Sequence, residues 1–175
     1  DSPELKAARN EMKGNTGEGR QALQQARLRG VAGKVDEAIA AYEKLYGGVP
    51  DDVDVAIEYW TLVARLPARH SEGVSQLTEL NASAPGNVSL LTSLAKQMFA
   101  DNKPQEGFAY LAEMARSASG RGIAADMWFS EVKSMPVSKA SVQALQQFLL
   151  QFPTGSVAAN ARVLLDQQQA QLQDP

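Results

Sequence analysis

Gly33-Lys34-Val35-Asp36-Glu37-Ala38-Ile39-Ala40-Ala41-Tyr42-Glu43-Lys44-Leu45, closed by Pro50, is the stretch on which the fold turns. A small residue, Ala38, is followed four positions on by Tyr42, three further by Leu45 and five further by Pro50. On a helix, a small side chain lets a second helix approach closely, and a bulky pair one turn on fills the groove between them. Proline then ends the helix, because it lacks an amide donor and its ring clashes with the preceding turn.

The same pattern recurs. The small position falls at Ala38, Gly73, Gly107 and Ser141, in steps of 35, 34 and 34 residues. The next position gives Tyr42, Leu77, Leu111 and Leu145, and the one after gives Leu45, Leu80, Met114 and Phe148. Proline recurs at Pro50, Pro85 and Pro153, with Ser119 in the third place. A period near 34 with helix–turn–helix content is the signature of tetratricopeptide repeats. The expected fold is therefore all-α, a solenoid of antiparallel helix pairs forming a right-handed superhelix.

First helices follow the pattern less closely. Their packing triplets are Gln25, Ala26 and Arg29; Trp60, Thr61 and Ala64; Leu94, Ala95 and Met98; and Trp128, Phe129 and Val132. Gln25 and Arg29 depart from it in the first unit, whereas Trp60 and Trp128 share one repeat position. The expected helices run 19–32 with 35–47, 53–66 with 71–82, 88–101 with 104–117, and 122–134 with 138–152. Ser71 and Ser138 are expected to cap second helices, and Pro104 suits a first turn. The units are then 1–18, a remnant helix over 3–13 capped by Ser2 plus a Gly-rich loop; repeats at 19–50, 51–85, 86–119 and 120–153; and 154–175, an unpaired or capping helix where the array is expected to bend. In that last helix Val157, Ala161, Leu164, Leu165 and Leu172 form the apolar stripe, with Gln167, Gln168, Gln169, Gln171 and Gln173 as polar filler.

Composition narrows the function. Hydrophobic residues make up 44% and aromatics 6% of the 175, which suits helices built on Ala and Leu rather than a β-sandwich. A net charge of -3 offers no footprint for nucleic acid. No apolar run reaches the roughly 18–20 residues a membrane helix needs, so no membrane insertion is expected. No signal peptide opens the chain, and its start at Asp1 and end at Asp174-Pro175 read as those of an excised piece. The absence of cysteine excludes disulfides and thiolate chemistry and fits an oxidising compartment.

Nothing in the sequence carries catalysis. His70 is the single histidine, so neither a His-rich metal site nor a Ser–His–Asp arrangement is on offer; it reads as a solvated turn residue. Asp51, Asp52 and Asp54 lack the glycine and distal Glu of a calcium loop and read as a helix start. Gly14 to Gly19 lacks the Gly-Lys-Ser/Thr ending of a phosphate loop. The expectation is no enzyme, no metal and no cofactor. Trp60 and Trp128 read as inter-helix packing, with Tyr59 and Phe129 as the aromatics expected to be partly exposed.

What remains is the inner wall, lined by the first helices. The register places Arg27; Glu58, Leu62 and Arg65; Thr92, Lys96 and Phe99; and Asp126, Ser130 and Lys133 there. The wall is mixed in sign, unlike the paired Lys and Asn with which such repeats grip a terminal carboxylate. It suits an extended partner segment, or a neutral polymer steered by Tyr59, Phe99 or Phe129.

Several strings go beyond generic repeat residues: Gly19-Arg20-Gln21-Ala22-Leu23-Gln24-Gln25-Ala26-Arg27-Leu28, Glu58-Tyr59-Trp60, Pro67-Ala68-Arg69, Asn81-Ala82 with Ala84-Pro85-Gly86-Asn87, Glu106-Gly107-Phe108-Ala109 and Met135-Pro136-Val137-Ser138. From Gly19 onward the chain resembles the amino-terminal periplasmic repeat region of the bacterial cellulose synthase operon protein C family. That resemblance implies a periplasmic, non-catalytic scaffold of cellulose export, placed between an inner-membrane synthase and an outer-membrane pore. It implies other components of the synthase complex as partners, with glucan or peptidoglycan as further contacts, and a β-barrel elsewhere in the protein. The alternatives are a carbohydrate-binding module that steers the glucan and a generic peptide-binding adaptor.

Overall fold

The computed structural model describes residues 2–6, 8 and 17–174. Its main helices are α1 (Gly17–Val31), α2 (Val35–Tyr46), α3 (Val53–Ala64), α4 (His70–Ser83), α5 (Val88–Ala100), α6 (Pro104–Met114), α7 (Ala118–Ser134), α8 (Lys139–Gln151) and α9 (Ser156–Gln173), with a 3-10 turn at Pro67–Arg69. No strand occurs among the described residues, and the fold is an all-α helical repeat. Of the remnant helix expected over 3–13, residues 3–6 are helical and Ser2 caps them, its Oγ accepting the Leu5 N–H at 3.2 Å. The stretch 9–16, with most of the glycine-rich loop, lies outside the described residues.

The chain divides into two compact units, Asp1–Gln97 and Met98–Pro175. In the first, α1 packs on α2, α2 on α3, and α3 on α4. Gly33 makes the first turn at φ 81°, and Gly47 ends α2 at φ 70° with its N–H on the Glu43 carbonyl. A left-handed residue there costs glycine nothing, and it caps carbonyls that the helix would otherwise leave open. Asp52 starts α3 by accepting the Val55 N–H at 3.0 Å, the ordinary work of an N-cap acid.

The small positions are contact points. Ala38 is fully buried, and Gly73 and Gly107 are buried too. A Cβ added to Gly73 would lie 2.5 Å from the Ala64 nitrogen and 2.7 Å from its Cα. The α3 and α4 backbones thus touch at a spacing that only glycine permits. At Gly107 the neighbour is a ring: an added Cβ would lie 2.7 Å from Phe99 Cε1. Tyr42, Leu77, Leu111 and Leu145 are buried to 1% exposure or less, and Trp60 and Trp128 are buried as well. The third position divides: Met114 and Phe148 are fully buried, whereas Leu45 and Leu80 are half-buried.

The second unit is built on aromatics. Phe99 meets Phe108 edge-on at 5.0 Å, Phe108 lies over Trp128 at 4.9 Å, and Trp128 reaches Phe148 at 6.3 Å and Phe152 at 6.1 Å. The Trp128 indole N–H donates to the Ala144 carbonyl at 3.0 Å, tying α7 to α8. Helix α9 packs against both α8 and α7.

Ser141, the fourth small position, also does polar work. It forms a capping box with Ser138: each backbone N–H meets the other's hydroxyl, at 2.9 and 3.3 Å. Its own hydroxyl donates to Gln168 Oε1 of α9 at 2.7 Å. Gln168 is 4% exposed, so it is a buried partner and not surface filler. Ser141→Ala keeps the close approach but leaves that amide oxygen and the Ser138 N–H without the hydroxyl. The expected cost is about 1–3 kcal/mol, read as lost amide-exchange protection across α9 with α1 to α4 unchanged.

Two boundaries differ from expectation. Helix α7 starts at Ala118, not near 122, because Ser117 caps it by accepting the Gly120 N–H at 3.1 Å. Helix α4 starts at His70, not Ser71, and no side chain caps it. His70 is half-buried, and its Nδ1–H donates to the Ala64 carbonyl at 2.6 Å. It therefore closes the α3–α4 turn instead of standing in solvent.

Candidate functional site

In the first unit, α1, α3 and α5, with Tyr42 of α2, enclose an open groove of about 540 Å³. Residues one or two turns apart on each helix line it: Arg27 and Gly30; Glu58, Leu62 and Arg65; and Thr92 with Lys96. Six residues placed on the inner wall from the sequence thus share one surface. The floor is apolar, since Leu62 is 8% exposed and its Cδ2 lies 3.0 Å from where a Gly30 Cβ would stand.

Polar side chains bridge the helices. Arg27 grips Glu58 through two bonds, Nε to Oε1 at 2.7 Å and Nη2 to Oε2 at 3.1 Å. A fork-to-fork pair fixes geometry more than it adds stability at this exposure. The Glu58 hydrogen bond holds the Arg27 guanidinium above its usual value, against the opposing effect of burial. Arg65 Nη1 donates to the Gly30 carbonyl at 3.0 Å. Thr61 Oγ1 donates to the Ile57 carbonyl at 2.6 Å and lies 2.7 Å from Ser93 Oγ, which joins α3 to α5. Burial pushes the Tyr42 phenol up to about 12, with the Glu58 charge adding and Arg27 opposing. Three cations and one carboxylate line the groove, so it carries a positive excess.

The other wall residues lie elsewhere. Asp126, Ser130 and Lys133 are on α7 in the second unit, where Ser130 and Lys133 are exposed and Asp126 is half-buried or more open. Phe129, on the same helix, is half-buried, 6.1 Å from Phe148, with Lys133 Nζ 4.8 Å above its ring. Phe99 is not an open wall residue, because its ring is seated on Gly107 and edge-on to Phe108. Tyr59 is not partly exposed: it is 2% accessible, and its hydroxyl donates to Glu43 Oε1 at 2.8 Å. The Trp60 ring stands edge-on at 4.8 Å. Burial first, and that Glu43 bond second, raise the Tyr59 phenol. No cluster of three or more His, Cys, Asp or Glu able to hold a metal ion occurs among the described residues.

Comparison with known proteins places this arrangement. No protein-family model matches the chain. It is 46% identical over all 175 residues to Cellulose synthase operon protein C of Salmonella typhimurium, and 47% identical over 170 residues to that of Escherichia coli K12. A crystal structure of the flexible tandem repeat domain of the corresponding bacterial cellulose synthase component matches with a TM-score of 0.76 and 48% identity, over 99% of this chain and 72% of that one. The chain belongs to the cellulose synthase operon protein C family. It spans 15% of the length of the Salmonella and E. coli relatives. A more distant member, from Xanthomonas axonopodis pv. citri, is 28% identical over 132 residues. In this member of the family, repeat register alone gives the charged rim of the groove. It does not give Tyr42, which comes from a second helix, or the Gly30 carbonyl that holds Arg65. Backbone acceptors carry no side-chain signal in a sequence.

Proposed function

We propose that this segment is a non-catalytic periplasmic scaffold of the cellulose synthesis and export system, whose α1–α3–α5 groove holds an extended, acidic segment of another component of that system. Family membership supports the system. The observation that carries the binding mode is the convergence of Arg27, Arg65 and Lys96 around a single carboxylate in an apolar-floored groove. Such a groove takes a chain and not a folded surface, and its charge favours a negative one. The helix pairs α1–α2, α3–α4, α5–α6 and α7–α8 are the proposed repeat units, with α9 as a cap. Asp126, Phe129, Ser130 and Lys133 form a secondary contact strip on α7. No helix among the described residues is long and apolar enough to cross a membrane, so the proposed link between inner-membrane synthase and outer-membrane pore is made through protein contacts.

The test is a crosslinking pull-down with the full-length periplasmic region, comparing wild type with Arg65→Glu and Lys96→Glu. Reversing these charges puts like charge against an acidic partner. Recovery of synthase-complex proteins is expected to fall at least about tenfold at low salt. Unchanged recovery with both substitutions present overturns this use of the groove.

A further inference from the structure

The second unit holds a different kind of cleft. Helices α6 and α8 face each other across about 360 Å³, with Trp128 of α7 at the bottom. Every residue lining it is uncharged. On α6, Gln105, Phe108, Ala109 and Ala112 recur at helical spacing and turn one face inward. On α8, Gln143, Gln147 and Gln151 do the same. Alanines keep the walls low, so the cleft is open along its length.

We infer that this cleft is a subsite for an uncharged β-linked glucan chain, a reading that rests on the proposed place of the segment in cellulose export. The match is chemical. A β-linked glucan is neutral, with apolar C–H faces on its rings and hydroxyls along both edges. The cleft offers the half-buried Phe108 ring, stacked at 4.9 Å on Trp128, as an apolar platform. Exposed glutamines stand on both rims. Each amide both donates and accepts, which is what a hydroxyl requires, and no charge has to be stripped of water as the chain enters. Successive glutamines on α8, four residues apart, stand about 6 Å from one another along the helix. That is close to one sugar ring per amide in an extended chain. The volume lies at the small end of ligand sites, suited to a short segment of a polymer held weakly enough to move on. The Trp128 indole N–H is already committed to Ala144, so the ring contributes surface and the glutamines contribute polarity.

The experiment is a heteronuclear NMR titration of the 175-residue chain with cellohexaose. Gln143→Ala/Gln147→Ala serves as the fold-neutral variant, since both side chains are exposed. Ala109→Trp serves as a plug. Shift changes are expected at Phe108, Trp128 and the α8 glutamine side chains. Affinity is expected to drop at least about fivefold in the double variant, the worth of about one hydrogen bond, and to be lost in the plugged one. Lys96→Glu should leave the titration unchanged, which separates this inference from the groove reading. The inference is overturned by an absence of perturbation at several millimolar sugar, by perturbation mapping outside α6 to α8, or by equal binding in the double variant. A neutral Gln/Ser-rich peptide that competes at similar concentration would assign the cleft to protein instead and would also overturn it.

Discussion

Trp128→Ala is expected to cost the second unit about 4 kcal/mol, within the range for removing a buried tryptophan. The ring is 4% exposed, contacts Phe108, Phe148 and Phe152, and carries the hydrogen bond that ties α7 to α8. Its removal opens a cavity bordered by three other rings that cannot close over it together. Against the ~5–15 kcal/mol that stabilises a typical domain, this is a large fraction. Urea unfolding followed by circular dichroism should show an early transition. Amide exchange should show lost protection in α6 to α9 while α1 to α4 keep theirs. Trp128→Phe should retain more than half of the lost stability. A Trp128→Ala midpoint within error of wild type would mean that the aromatic cluster does not hold the unit together.

The second large effect is at Gly73. Alanine is a better helix former than glycine by about 1 kcal/mol, so an isolated α4 would gain from Gly73→Ala. In the folded chain the new methyl would fall 2.5–2.8 Å from Ala64 N, Cα and Cβ. Two of those are backbone atoms and no rotamer change relieves them, so α3 and α4 must move apart. The expected net cost is about 2 kcal/mol for Ala and more for Val, in the range of overpacking penalties. Gly122, in α7, provides the opposite sign. A Cβ there meets nothing within 4 Å, so Gly122→Ala should stabilise by about 0.5–1 kcal/mol. Thermal melts of the two alanine variants should move in opposite directions. A shift of Gly73→Ala in the same direction as Gly122→Ala would refute the close helix contact.

Gly73 and Gly122 also show where reading the sequence succeeds. Both are helical glycines, and composition does not distinguish them. The 34-residue period does: Gly73 falls on the beat with Ala38, Gly107 and Ser141, and Gly122 falls off it. The same period places Arg27, Glu58, Leu62, Arg65, Thr92 and Lys96 on a common surface, because first helices of successive repeats stack in register. It has no power over neighbours from outside the register. Tyr59 sits one position from the wall residue Glu58, yet Glu43 of the preceding helix takes its hydroxyl. Gln25 occupies the slot of Trp60 and Trp128 but is exposed, whereas both tryptophans are buried. Spacing puts Phe99 on the wall, but its ring is held against Gly107.

By itself, then, the order of residues determined the helix pairs, their beat and the small residues at their crossings. Those follow from local propensity and from side-chain size repeated at a fixed interval. Only the tertiary structure decided which polar groups met: Ser141 with Gln168, Thr61 with Ser93, Arg65 with the Gly30 carbonyl. It also decided that Phe108 and the α8 glutamines would share one cleft. Hydrogen bonds are short-ranged and directional, so partners that lie tens of residues apart are selected by how the packed helices aim their side chains. No periodicity in the chain encodes that aim.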